Sequence, residues 1–376
     1  MNTITFTRDV RRLEIALKLW PLMRPLVRKG LVRRCRRCVL SEHHGPLNAD
    51  GLCKACVEFT PLPTPAQDIL TGPNPVDDLL RRTVDTAPGR YDAILLISGG
   101  KDSAFLLHRL RQDHPQLRLL TVLVNNGFMS PVALENVTQL LTRLPGDHIE
   151  IRPPADLVRA VFRWALTHLH RQKVYSLVDL FDAQITFDAA FKLAADLAIP
   201  LVIAGLGKNQ VENVFGPIDW LWPWEEIDFP SRVGAGREEA LKDAEGRLWY
   251  RAERWPAERR PRLVTPFLLW DPSEVFLLSE VERRGLLAPG NSNPLITNNT
   301  LIPLICLAEV ARFGYTSFEA EFARQVREGK SARDWWLRVF ESFEYSARTG
   351  RFLSGSTRET LAALGLSLQD LGLCRS

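Results

Sequence analysis

A doubly wound, parallel α/β sheet is the fold class the sequence predicts, on three observations. Short apolar runs at 91–97, 117–124, 147–153 and 200–205 alternate with helical stretches, as parallel strands joined by crossover helices do. The first run, YDAILLI, ends on SGGKDS, a turn rich in glycine and hydroxyls at the carboxyl end of a strand, where such sheets bind ligands. The chain has 376 residues, 45% of them hydrophobic and 24% charged, which is globular and too long for one small core, so further units flank the sheet.

In chain order, residues 1–34 are read as a basic N-terminal helix. Residues 1–40 hold eleven Arg or Lys against Asp9 and Glu14, and the apolar positions Leu13 to Trp20 are broken by Lys18. Pro21 and Pro25 are expected to interrupt any long helix there. Such a segment suits a docking helix with a solvated basic face, or contact with anionic lipid or RNA. Residues 35–60 hold four cysteines, and 61–90 form a Pro-rich linker and a short helix, VDDLLRRTV. Residues 91–230 carry the sheet. Its helices are expected after SGGKDS, at 130–144 with Ser130 as N-cap ahead of Pro131, at 155–172 and at 177–198. The alternation stops near residue 215, and residues 231–376 read as mostly helical. No run reaches the roughly 18–20 apolar residues of a membrane-spanning helix, and the charged start lacks a signal pattern, so a cytoplasmic location is expected.

The six residues Ser98 to Ser103 point to nucleotide chemistry. Gly99 and Gly100 allow backbone to approach a phosphate, and the amides at the start of the following helix attract anions. Ser98 and Ser103 can donate hydroxyl bonds, and Lys101 supplies a point charge. Asp102 would repel phosphate unless a divalent cation bridged them, so Mg²⁺ is expected. A Walker A loop is excluded, because Asp102 follows Lys101 and Leu95 stands where its first glycine belongs. A dinucleotide fingerprint is excluded by its missing third glycine.

Cys35-x-x-Cys38, fourteen residues, then Cys53-x-x-Cys56 is zinc-ribbon spacing, in which two knuckles offer four thiolates to one tetrahedral Zn²⁺. Four thiolates leave no open position, so the site is structural. An iron–sulfur cluster has the same ligand count and remains an alternative. His43 and His44 read as loop histidines.

SGGKDS resembles the S-G-G-x-D-S signature of the PP-loop ATP pyrophosphatases, an adenine nucleotide α-hydrolase-like fold. That resemblance implies ATP held by Ser98, Gly99, Gly100, Lys101, Asp102 and Ser103, with Lys101 and Asp102 catalytic and AMP transferred to a substrate oxygen. Gly205, in VIAGLGKNQVEN, matches a glycine the family carries near the nucleotide, with Gly207, Lys208, Asn209 and Glu212 as weaker candidates. The family's usual His and paired Asp are missing there. By topology Asn125 and Asn126 are expected near adenosine. With the cysteine quartet before it, the loop resembles the N-acetyl sugar amidotransferases of surface-polysaccharide synthesis, on Gly51-Leu52-Cys53-Lys54-Ala55-Cys56 and FGPIDWLWPW. The resemblance covers roughly residues 33–230.

What it implies is adenylation of an acetamido oxygen, then displacement of AMP by ammonia from a separate glutaminase. A small-molecule or sugar acceptor and a homo-oligomer are expected. Trp220, Trp222 and Trp224 could wall the acceptor. Two alternatives stand. A PP-loop sulfurtransferase would thiolate a tRNA base or a metabolite and use later cysteines, of which Cys306 reads as core and Cys374 as tail. A zinc-ribbon nucleic-acid-binding module would use the basic, Trp- and Arg-rich stretches.

Overall fold

The structure is a computed structural model describing residues 3–60, 74–84, 86–172, 175–216, 219–223, 247–293 and 299–373. The Pro-rich stretch 61–73, Trp224 and Cys374 lie outside the described residues.

Six strands form one sheet: β1 (Ala93–Leu96), β2 (Leu119–Val124), β3 (His148–Ile151), β4 (Leu201–Ile203), β5 (Leu221–Pro223) and β6 (Arg262–Val264). Their order is β3-β2-β1-β4-β6-β5, and every pairing is parallel except β5 with β6. β1 is buried along its whole length because both faces are covered. Ile94 and Leu96 enter one apolar cluster, with Phe162 and Phe181; Ala93 and Leu95 enter the other, with Leu106 and Phe267. That two-sided burial is why the strand reads as a continuous apolar run.

Among the described residues the helices before β5 are α1 (Thr3–Val27), α2 (Lys54–Val57), α3 (Pro75–Thr83), α4 (Lys101–Asp113), α5 (Pro131–Arg143), α6 (Ala155–Thr167), α7 (Leu177–Asp196) and α8 (Lys208–Val214). Ser130 caps α5 as expected, its Oγ accepting from Ala133 N at 2.9 Å with Pro131 in the first turn. Asn74 caps α3 in the same way, accepting from Asp77 N at 3.0 Å. After the sheet come α9 (Phe267–Trp270), α10 (Glu274–Arg283), α11 (Ile302–Phe313), α12 (Phe318–Arg327), α13 (Arg333–Thr349) and α14 (Ser354–Leu364).

Two departures from the sequence reading matter. The sheet does not end near residue 215: β5 and β6 extend it, and β6 lies within the stretch read as helical. Strands of three residues are too short to show a period. Pro21 and Pro25 do not interrupt α1, which runs through both. Each removes one backbone hydrogen bond on an exposed side of the helix, and inward docking offsets the loss. Phe6, Val10, Leu13, Leu17 and Trp20 are buried, and α1 packs on α13 and α14. Trp20 Nε1 donates to Glu341 at 2.8 Å, and Arg24 grips the same carboxylate at 2.8–3.0 Å. Among the described residues, no helix is long and apolar enough to cross a membrane.

Candidate functional site

The strand order reverses between β1, which continues to β2, and β4 on its other side. Ligands bind at such a switch point in α/β sheets. Both glycine-bearing turns end there, SGGKDS after β1 and Gly205 after β4.

In the first turn Gly99 has φ +77, and a Cβ on it would meet Ala133 O at 2.2 Å. The loop thus lies flat on the first turn of α5, and only glycine fits. Gly100 is the N-cap of α4, so the free amides of that 13-residue helix open beside Lys101. Ser103 Oγ accepts from Ser98 N at 3.2 Å and donates to Gly100 O at 3.3 Å, closing the turn. Lys101 Nζ meets Asp102 Oδ2 at 2.9 Å. A Cβ on Gly205 would stand 3.2 Å from Asp102 C, so the second turn abuts the first. The cradle is therefore shaped to admit a phosphate chain against backbone.

Sequence reasoning missed the residue that fixes the loop from behind. Asn136, on α5, is fully buried; its Nδ2 donates to Gly99 O at 2.8 Å and Asn291 O at 2.9 Å, and its Oδ1 accepts from Ala288 N at 3.0 Å.

In front of the loop is a cavity of about 400 Å³ bordered by Ser98, Gly100, Lys101, Asp102, Ser103 and Gly205. Gly207, Lys208 and Asn209 also border it, whereas Glu212 does not and instead pairs with Arg324 at 2.6 Å. Asn125 and Asn126 stand away from it: Asn125 donates to Glu150, and Asn126 to Asp182, which does line the cavity. Trp220 and Trp222 are not on its wall, because β5 is the sheet's edge beyond β6. The aromatic wall comes from Tyr175, Phe187, Phe318, Phe322, Trp336 and Phe340, mostly on the C-terminal helices.

That wall also carries acids that the sequence did not mark: Asp179, Asp182, Glu274 and Glu321. Burial raises Glu321 to about 7, with Lys101 opposing and Asp102 adding to the rise. Burial likewise pushes Asp179 well above the usual range, helped by Asp182 and Glu309. Burial alone would lower Lys101, but Asp102, Glu274 and Glu321 outweigh it and hold its ammonium above the ordinary value. Cys306 borders the cavity too, 2% exposed, and burial drives its thiol far up, followed by Glu309 and Asp179.

The cysteine quartet is a second centre. Cys35, Cys38, Cys53 and Cys56 are all buried, with their Sγ atoms within 4.8 Å of one another. Cys38 and Cys53 are 3.7 Å apart, close to the roughly 3.8 Å edge of a tetrahedron with bonds of about 2.3 Å, and far beyond a disulfide's ~2.05 Å. The four can hold a metal ion. Amides of Leu40 and Cys53 donate to Cys38 and Cys35 Sγ at 3.4 and 3.3 Å, as ribbon knuckles do. None of the four borders the cavity. Arg333 of α13 binds the carbonyls of Cys35 and Cys38 at 3.0 and 2.9 Å, and Arg34 pairs with Glu319 at 3.0 Å and Glu344 at 3.4 Å. The quartet is thus riveted to the C-terminal helices.

No protein-family model matches the chain, and no curated protein matches it. Solved structures similar to it include two of known identity. One is an NH3-dependent NAD synthetase from Campylobacter jejuni subsp. jejuni, at 18% identity and a TM-score of 0.28, covering 41% of this chain and 61% of that one. The chain therefore spans less than two thirds of the synthetase's length. The other is the U34-tRNA thiolase NcsA from Methanococcus maripaludis with its [4Fe-4S] cluster, at 13% identity and a TM-score of 0.37, covering 92% of this chain and 100% of that one.

Proposed function

We propose that the protein is a PP-loop enzyme that splits ATP into AMP and pyrophosphate to activate a substrate carbonyl or amide oxygen for attack by ammonia. The observation that carries this reading is the Ser98–Ser103 turn, flattened on α5 by Gly99 and opening, with Gly205, on a cleft at the β1/β4 switch point. Backbone amides of α4 and the Lys101 ammonium would hold the departing pyrophosphate. Asp102 would hold Mg²⁺, which offsets the phosphate charge in a pocket already rich in carboxylates. The substrate oxygen attacks the α-phosphorus and pyrophosphate leaves; ammonia then attacks the activated carbon and AMP leaves. Catalysis rests on positioning and fixed charge rather than on a covalent enzyme intermediate.

Three features support ammonia and a small acceptor. The wall of Asp179, Asp182 and Glu321, whose carboxyls burial pushes toward the neutral form, suits a hydroxyl-rich molecule through hydrogen bonds. Glu321, at about 7, would take the proton that ammonium must lose. The aromatic wall suits the apolar face of a sugar ring. We therefore infer an N-acetyl sugar as acceptor, with ammonia from a separate glutaminase.

One observation favours sulfur transfer: Cys306 is the described cysteine that borders the cavity. Its thiol is held protonated by burial, which makes it a poor nucleophile. For the quartet we infer one structural Zn²⁺, because a cubane cluster interposes irons and sulfides and spreads its thiolates further than a single ion does.

The test is to incubate the protein with ATP, Mg²⁺ and a panel of N-acetyl sugars, with ammonium or sulfide as nucleophile. AMP and pyrophosphate with ammonium support the reading; ADP and phosphate overturn it. Sulfide-dependent release abolished by Cys306→Ala would transfer the assignment to thiolation. Lys101→Ala and Asp102→Ala should remove pyrophosphate release without changing zinc content.

A further inference from the structure

The inward face of α1 is docked, but its outward face is not polar. Ile15 is 57% exposed, Leu19 48%, Leu22 75% and Leu26 87%. Spacings of four, three and four place these side chains within an arc of about 60° on one side of the helix, over a length of about 16 Å. Four exposed aliphatic residues in register make a stripe that water solvates poorly, unlike scattered surface leucines.

The charges around the stripe are one-sided. Arg8, Arg11, Arg12 and Lys18 are all exposed and fall within about 70° of the stripe's centre. Lys29, Arg33, Arg36 and Arg37 continue the exposed basic surface just beyond the helix. The two acids of α1 are turned away. Asp9 is buried and accepts from Ser356 N at 2.7 Å, with Arg8 and Arg12 only 3.9 Å off and more than half exposed. Glu14, lower on the flank, accepts from Asn293.

We propose that this face is an interfacial docking surface for an anionic bilayer. The aliphatic stripe would lie at the level of the acyl chains, and the flanking Arg and Lys would meet headgroup phosphates. Charge complementarity selects this occupant. A second copy would bring like charges together along the same stripe, and RNA would use the cations but leave the leucines in water. The helix lies on the membrane rather than spanning it, since charged residues interrupt its apolar face. This surface is separate from the nucleotide cavity, so it localises the enzyme without entering its chemistry.

Flotation of the full chain with phosphatidylcholine vesicles, with and without phosphatidylglycerol, tests the proposal. The wild type is expected to float with anionic vesicles alone, and less at high salt. Replacing Ile15, Leu19, Leu22 and Leu26 by Ser should lower partitioning about a hundred-fold or more, and Leu22→Ser with Leu26→Ser about ten-fold. Arg8, Arg11, Arg12 and Lys18→Gln should abolish the preference for anionic lipid. An unchanged thermal midpoint and unchanged pyrophosphate release show that the variants fold. The proposal is overturned if the wild type ignores anionic vesicles, or if the Ser variant floats like it. It is also overturned if the Ser variant converts a dimer to a monomer by light scattering, or if a tRNA transcript competes the protein off the vesicles.

Discussion

Asn136→Asp isolates the residue that anchors the Ser98–Ser103 loop from behind, with almost no change in shape. The carboxylate can still accept from Ala288 N, but it loses both donated bonds, to Gly99 O and Asn291 O at 2.8 and 2.9 Å. Each buried carbonyl left without a donor costs roughly 1–3 kcal/mol, so the loss is about 2–6 kcal/mol for the ionised form and about 1–3 kcal/mol where a protonated carboxyl donates to one of them. The position is fully buried, so the new carboxyl should hold a proton to a higher pH than in the unfolded chain. The sign follows: the native state then binds more protons than the unfolded state, and the deficit grows as pH rises above the unfolded value of about 3.9. The slope is up to about 1.4 kcal/mol per pH unit until the native carboxyl ionises. Urea denaturation at pH 5 and pH 8, beside equilibrium binding of a non-hydrolysable ATP analogue, measures both consequences. Weaker analogue binding and a larger stability loss at pH 8 are expected. A variant as stable as the wild type at pH 8, or a deficit that shrinks with pH, would refute the anchoring role.

Other perturbations reach other parts of the molecule. Gly99→Ala should lower the rate of pyrophosphate release by two orders of magnitude or more, because the methyl would stand 2.2 Å from Ala133 O; normal turnover would mean that the loop is not seated on α5. Glu321→Gln should remove an inflection near pH 7 from the pH–rate profile for ammonia, and persistence of that inflection would reassign it to another group. Cys38→Ser should bring bound zinc, read by mass spectrometry, close to zero and lower the thermal midpoint; retained zinc would show the quartet is not its site. Glu341→Ala leaves Arg24 and Trp20 without their partner and should cost about 2–4 kcal/mol in denaturant unfolding, whereas Glu341→Gln should cost less.

What was legible in the sequence was local. The strands β1 to β4 announce themselves as apolar runs between helices, and SGGKDS and the cysteine spacing each fit within a few turns of chain. What was hidden is made by convergence. Nothing about Asn136 in VALENVTQLL distinguishes it from a solvent-facing polar residue until residues 99, 288 and 291 arrive around it. Glu309, Glu319, Glu321 and Glu344 likewise carry no local mark in helical sequence, and all four are buried. The tryptophans of FGPIDWLWPW looked like a substrate wall because aromatic density marks pockets as often as edges. Trp220 leads into β5 at the sheet's margin, and the wall is built instead by Phe318, Phe322 and Trp336, nearly a hundred residues later.

The rivets between the cysteine quartet and α13 bear on how the chain reaches this state during synthesis. Residues 20, 24, 34, 35 and 38 find their partners at 319, 333, 341 and 344, so roughly three hundred residues separate the two sides of each bond. The knuckles leave the ribosome roughly three hundred residues ahead of the surface they rest on. At about 5–20 residues per second that interval lasts some fifteen seconds to a minute, during which the aliphatic stripe and the unclamped inner face of α1 are both available to water, lipid or a chaperone. High sequence separation of this kind slows the closing step, because loop-closure entropy is lost before the contacts form. During synthesis the docking of the cysteine quartet on α13 therefore has to wait for that later stretch of chain, however early its own knuckles are made.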